Sequence, residues 1–343
     1  MRAAKLLVLA VARFFGGFWL ARRLTRRGVR ILCYHGIWLG QDGFPGDAMF
    51  MSADTFRRRL AAIRRSGQPV ITLSTAVEGL RGDRPLPPAP VVITIDDGWF
   101  STVAEMVPAL RAAGMPATLY CDTAHLLSGM PVPHVMARYF HRIAGRPALP
   151  GPVAADLALA TDLAVEPAAR LAAAIRLGEA VGLDPDHYRT RRVFEYLTPT
   201  ELADAARHGL DIQLHTHRHT LHTHSPDDIR REIEDNTRVL SDLLGVPASR
   251  FQHFCYPSGE WSSTAVATLA ELGLASATTT DPSLAYPGAN PYLLPRILDG
   301  ENLSPLEFES ELSGFGDFLR AVTAPLRRRR TEQPLRPPPY DGV

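Results

Sequence analysis

Val91-Val92-Ile93-Thr94-Ile95-Asp96-Asp97-Gly98 is the stretch from which the fold can be read. Five consecutive β-branched residues suit a strand buried on both faces. The run ends in two adjacent carboxylates and a glycine. Neighbouring side chains at a strand end point in different directions, so Asp96 and Asp97 can divide the work, one holding a metal and the other handling a proton. Asp-Gly is also a common turn dipeptide, and the stretch alone does not separate the two readings. A second stretch tips the balance towards a site. Asp211-Ile212-Gln213-Leu214-His215-Thr216-His217-Arg218-His219 is again a short apolar run ending in ligand-type residues.

Outward from these two stretches, strands and helices alternate. Strands are expected at residues 30–35, 70–73, 116–121, 251–256 and 275–279, with a short extended piece at 293–297. Helices are expected at 53–65, 74–80, 101–113, 199–207, 226–244 and 262–272. Phe56, Leu60 and Ile63 recur at helical spacing, for example, behind the capping candidates Ser52 and Thr55. Such alternation implies parallel strands with helical crossovers. Seven or eight of them make a distorted (β/α) barrel, an α/β fold, over residues 30–322. Residues 129–197 read as a helical insertion. Its first part is rich in Pro and Gly, and 154–184 is alanine-rich with one or two helices.

The reactive residues share one end of this architecture. Asp96 and Asp97 follow one strand, His215 another and His35 a third; Ser258 lies past a fourth and Arg296 near the last. In (β/α) barrels the C-terminal ends of the strands carry the active site. His215 and His219, three residues apart, can turn both rings inward, and with Asp97 they make a three-ligand set of catalytic type. Such ligands suit zinc, and also cobalt, nickel, iron or manganese. His217, His222 and His224 crowd the same stretch as alternatives to His219. His125, His134, His141, His187, His208 and His253 read as structural or solvated.

The remaining features set bounds. A net charge of +1 gives no electrostatic case for nucleic acid. Cys33, Cys121 and Cys255 form an odd set without CxxC spacing, which fits buried thiols in a reducing, cytoplasmic compartment. Residues 1–29 carry an apolar run interrupted by Arg13 and followed by Arg22, Arg23, Arg26 and Arg27. They read as an amphipathic helix peripheral to an anionic membrane, or as a helix packed on the domain. Residues 323–343, basic and proline-rich, read as a disordered tail.

Thr94-Ile95-Asp96-Asp97-Gly98 resembles the T-F-D-D-G motif of the polysaccharide deacetylase family (NodB-like, carbohydrate esterase family 4). His215-Thr216-His217-Arg218-His219 resembles its H-[ST]-x-x-H motif. The resemblance covers roughly residues 30–300. It implies that Asp96 is the general base, that Asp97, His215 and His219 bind the metal, and that Thr216 steadies the histidine loop. Tyr256-Pro257-Ser258-Gly259 resembles the third motif, without its arginine and with Ser258 where tyrosine is common. The backbone N–H of Ser258 can still serve an oxyanion beside Tyr256 and Pro257, and Arg296 stands in for the missing arginine. Tyr34-His35 resembles the early Tyr-His of one subgroup, which makes His35 the general acid. The activity implied is metal-dependent removal of N-acetyl groups from amino sugars in a polysaccharide or lipid-linked glycan. The departures in the third motif leave a second reading, a silent glycan-binding or assembly protein of the same fold. A third is a deacylase of a non-sugar amide or ester.

Overall fold

A computed structural model of the chain describes residues 2–40, 46–145, 148–221 and 225–328. Two N-terminal helices, α1 (Arg2–Phe14) and α2 (Gly17–Leu24), precede β1 (Arg30–Tyr34). A small parallel pair, β2 (Gly36–Ile37) and β3 (Phe50–Met51), leads into α3 (Ala53–Ser66) and α4 (Leu73–Arg81). Then come β4 (Val91–Asp97), α5 (Val107–Ala113), β5 (Thr118–Cys121) and α6 (Thr123–Ser128). The insertion holds α7 (Pro133–Ile143), α8 (Gly151–Thr161), α9 (Pro167–Ala180) and α10 (Pro185–Thr190). The alternation resumes with α11 (Pro199–Arg207), β6 (Asp211–Leu214), α12 (Pro226–Leu244), β7 (His253–Cys255), α13 (Ser263–Glu271), β8 (Ser276–Thr278) and β9 (Ile297–Leu298). The described residues end with α14 (Pro305–Ser313) and α15 (Phe315–Arg328).

The main sheet has seven parallel strands in the order β8-β7-β6-β5-β4-β1-β9. Every residue of β4 is buried, as its β-branched run requires. One short segment closes the sheet. Leu294 bridges Thr278 in parallel at one edge, and Ile297 and Leu298 pair with Leu32 and Cys33 at the other. Residues 294–298 therefore join both edges, and the expected distorted (β/α) barrel results.

Several local expectations change. Residues 70–73 do not form a strand. Val70 makes a single bridge to Val91, and Thr72 caps α4 by accepting the Thr75 N–H. The Pro- and Gly-rich part of the insertion contains α7, whose Pro133 sits in the first turn, where no intrahelical N–H is needed. The helix expected over 101–113 begins as a π-turn at Thr102–Met106. The N-terminal segment is two helices bent by 80° at Gly16-Gly17. The expected tail begins too early, because α15 reaches Arg328; residues 329–343 lie outside the described residues.

The insertion seats on the barrel mouth through aromatic packing. Trp38 stacks on Tyr139 at 5.7 Å, and Trp99 meets Tyr196 edge-on at 4.8 Å. Its last residues return to the end of β4, where Leu197 N–H donates to Gly98 O at 2.9 Å and Trp99 bridges Tyr196. On another side, Arg59 of α3 grips Asp299, just past β9, with Nε 3.1 and 3.0 Å from the two carboxylate oxygens. Burial pushes the Asp299 carboxyl up to about 6 even with Arg59 beside it. Arg59→Ala should therefore cost about 3–5 kcal/mol at neutral pH, because it leaves a buried carboxylate unpaired. Without the guanidinium the folded-state pKa rises further. The deficit should thus shrink as pH falls to about 5 and grow towards about 8, as urea unfolding at both pH values would read.

Candidate active site

Asp96 and Asp97 leave β4 in different directions and meet different partners. Arg296 enters from the closing segment and binds Asp96 in a two-pronged pair, Nη1 to Oδ1 and Nη2 to Oδ2, each 2.7 Å. The same guanidinium donates to Thr94 Oγ1 at 3.2 Å, and its Nε donates to Thr279 O at 2.9 Å. Cys33 and Cys255 bring their thiols to 3.4 Å from Asp96 Oδ2. Burial pushes the Asp96 carboxyl up, but the charge and hydrogen bonds of Arg296 outweigh it and bring it to about 2. His35 Nε2 lies 3.9 Å from Asp96 Oδ2, and its Nδ1 is buried with no protein partner among the described residues.

Asp97 turns into the left-handed region, φ 76°. Trp99 Nε1 donates to its Oδ2 at 2.9 Å, which leaves Oδ1 facing two histidines. His215 Nε2 and His219 Nε2 each lie 3.3 Å from that oxygen. His215 Nδ1 is 2.8 Å from Cys255 O. A carbonyl only accepts, so Nδ1 carries the proton and Nε2 is the free donor atom. Burial disfavours a charge on His215, but the neighbouring Cys255 and Asp97 raise its pKa well above the usual histidine value. The site thus favours positive charge at Nε2, whether proton or metal.

The donor set fits a divalent cation. Asp97, His215 and His219 offer one ligand atom each, all within 4.8 Å of one another. Two alternative groups, Cys33 with His35 and Asp96, and Asp96 with His215 and Cys255, also lie within 4.8 Å. Both depend on Asp96, whose two oxygens are already engaged by Arg296, so the Asp97 set suits a cation better.

The histidine loop is held from α12. Asn236 accepts the His215 N–H at 3.0 Å and donates to Cys121 O at 3.0 Å and Thr123 Oγ1 at 3.1 Å. Glu232 accepts the N–H groups of His217 and Arg218 at 3.1 and 2.7 Å. Thr216 Oγ1 accepts the Thr220 N–H at 3.2 Å. His217, weighed as a ligand, has its ring Nδ1 2.8 Å from Thr123 Oγ1 and does not join the Asp97 set. His222 and His224 lie outside the described residues. Asp97, Thr216, His219 and Ser258 are four of the six non-glycine residues with left-handed φ among the described residues. Such backbone costs on the order of 1–3 kcal/mol per residue, and here it is concentrated in the three motifs.

These groups open into a cleft of about 320 Å³. Tyr256, Pro257 and Ser258 form one wall, with the Tyr256 hydroxyl buried and without a protein partner among the described residues. The insertion forms the opposite wall with His134, Arg138 and Leu163. Arg170, itself buried, places Nη2 3.1 Å from His134 Nδ1 and so turns His134 Nε2–H outward as a donor.

Trp99, Asn236, His134 and the two thiols were not found by reading the sequence. Two of them carry a signal. Trp99 directly follows the Asp-Asp-Gly turn. Asn236 interrupts the apolar face that Ile229, Ile233 and Leu240 give α12.

The polysaccharide deacetylase family model matches residues 83–277. The chain belongs to the polysaccharide deacetylase family, whose members are carbohydrate-deacetylating enzymes. A poly-β-1,6-N-acetyl-D-glucosamine N-deacetylase of Escherichia coli K12 is 34% identical over 82 residues, 23% of this chain; the match spans only 12% of that relative's length. The fold is similar to that of the deacetylase PplD of Streptococcus pyogenes, solved in complex with acetate, with a TM-score of 0.59 and 18% identity over 84% of this chain and 99% of the other. It is also similar to IcaB of Ammonifex degensii, with a TM-score of 0.55 and 17% identity over 84% and 97%.

Trp99→Phe keeps the ring but frees Asp97 Oδ2. It should weaken zinc binding about 10–100-fold, measured by chelator competition, with little change in melting temperature.

Proposed function

We propose that the protein is a metal-dependent hydrolase that removes N-acetyl groups from amino sugars of a glycan, with N-acetylglucosamine polymers as the substrate class. One observation carries this reading. A carboxylate kept ionised by a buried arginine, a histidine 3.9 Å from it and a three-donor set converge in a single cleft. The segment shared with the N-acetylglucosamine polymer deacetylase supports the substrate class.

Asp97, His215 and His219 would hold a divalent cation, zinc in this reading, which when bound would supply Lewis acidity towards the acetyl carbonyl and a water. Asp96 Oδ2 accepts from Arg296 and both thiols, but Oδ1 spends only one of its two acceptor sites on Arg296, so Asp96 can still take the proton of the attacking water there. Arg296 fixes the direction of that acceptor and keeps it charged. The backbone N–H of Ser258 donates to the developing oxyanion, while Tyr256 and Pro257 bound the acetyl group. His35 delivers a proton to the departing amine nitrogen. Acetate and a free amino sugar leave. His134 and Arg138, on the insertion wall, are placed to contact the sugar chain.

A silent glycan-binding protein was motivated by the missing arginine of the third motif. Arg296 reaches Asp96 from a different segment, so that departure does not remove the arginine–aspartate pair.

The deciding experiment measures acetate release by metal-stripped protein with zinc, cobalt or nickel restored. N-acetylglucosamine oligomers and lipid-linked amino sugars are the substrates. Metal-dependent release is expected, and Asp96→Asn should reduce it by about 10²–10⁴-fold. No release from metal-loaded protein would overturn the reading in favour of the silent binder.

The pH profile tests Arg296 separately. With Asp96 at about 2, the wild type should show no acidic limb from this group above about pH 4. Arg296→Gln removes the opposing charge, burial then raises the Asp96 pKa, and more of the base is protonated at low pH. Its activity should therefore fall from about pH 8 to about pH 5 more steeply than that of the wild type.

A further inference from the structure

The N-terminal helices are amphipathic in the reverse of the usual sense. On α1 the charged side faces the domain. Arg2 donates to Asn302 O at 2.7 Å, Lys5 pairs with Glu307 at 2.8 Å, and Arg13 pairs with Glu309 at 3.0 Å. Leu9 alone is fully buried among the apolar residues of that helix. Leu7, Val8, Val11 and Phe14 point away, between 48% and 83% exposed. On α2, Ala21 is buried while Trp19, Leu20 and Leu24 are exposed. The patch continues onto α15. Phe18 packs on Phe315 at 5.3 Å, Phe315 on Phe318 at 6.1 Å, and Phe318 and Val322 are more than half exposed. Among the described residues, ten of the fourteen exposed large hydrophobics lie on these three helices and the Phe15 link. Concentration on that scale marks an interaction surface.

The surroundings select the partner. Arg23, Arg26 and Arg27 are exposed at the end of α2, with the Arg23 guanidinium 5.1 Å from the Trp19 ring centre, and Arg65 is exposed on α3 nearby. Apolar and aromatic side chains edged by arginines match the boundary of an anionic lipid layer. In a two-fold dimer two copies of the same positively edged patch would face each other, like charge towards like. No single helix here is long and apolar enough to cross a bilayer. At 13 and 8 residues α1 and α2 are about 20 and 12 Å long, short of the roughly 30 Å core, and they bend by 80°.

We propose that α1, α2 and the exposed face of α15 form a docking surface for an anionic lipid bilayer. The barrel rests on the membrane through helices that are ion-paired to it, not through a free tether. This surface is independent of the deacetylation chemistry.

Vesicle cosedimentation of the full chain tests it, with phosphatidylcholine vesicles and with vesicles that also contain phosphatidylglycerol. The wild type should sediment with the anionic vesicles at least about tenfold more strongly than with the neutral ones. Phe14→Glu with Trp19→Glu should abolish sedimentation. Arg23→Glu with Arg26→Glu should remove the preference for anionic lipid. These side chains are exposed, so melting temperatures should stay at the wild-type value and acetate release from soluble oligomers should be unaffected. Wild-type protein that stays in the supernatant with both vesicle types would overturn the proposal. So would variants that sediment like the wild type. A wild-type dimer that the Phe14/Trp19 variant splits, without lipid binding, would assign the patch to a second copy and also overturn it.

Discussion

The buried pair between Arg296 and Asp96 is the interaction on which the rest of this molecule depends. A carboxylate removed from water at the centre of a barrel is costly unless a positive charge with good geometry answers it. Here the answer comes from residues 294–298, the segment that also joins β8 to β1. Closing the sheet and keeping the aspartate ionised are therefore the same event. The pair also explains why two adjacent aspartates behave differently. Asp96 is bound to a fixed cation of the protein, whereas Asp97 faces imidazole nitrogens and is open to a cation from outside.

Precision at the cleft is enforced from behind. The histidine loop carries two residues in left-handed conformations, and the atoms that hold it there belong to α12, through Asn236 and Glu232. Asp97 is likewise held in place by the Trp99 indole, and Trp99 is part of the aromatic layer that seats the insertion. The insertion thus has two attachments to the chemistry. It walls the cleft with His134 and Arg138, and through Tyr196 it packs against the residue that aims Asp97.

Much of the barrel was legible because its signals are local. A β-branched run, an alternation of periods and a capping residue such as Ser52 all act within a few residues. What was missed depends on tertiary context. Residues 70–73 look like a strand, but Thr72 is used as a helix cap. Pro133 reads as a breaker, but it sits in a first turn, where proline is tolerated. Spacing could suggest the Asp97 and histidine set. It could not show that two thiols touch Asp96, nor that an asparagine on the buried face of α12 supports His215. Arg296 lies 200 residues from Asp96, and only the family comparison and its position at a strand end drew attention to it.

The order of synthesis follows from that separation. A nascent chain emerges with β1, β4, β5 and β6 long before residues 294–298, so until those residues appear Asp96 lacks its Arg296 partner. In a partly made barrel the carboxyl must either stay hydrated or take up a proton, and in both cases the interior cannot reach its final packing. The barrel can close only once residues 294–298 have left the ribosome. A prematurely terminated product would lack the segment that closes the barrel and charges its centre.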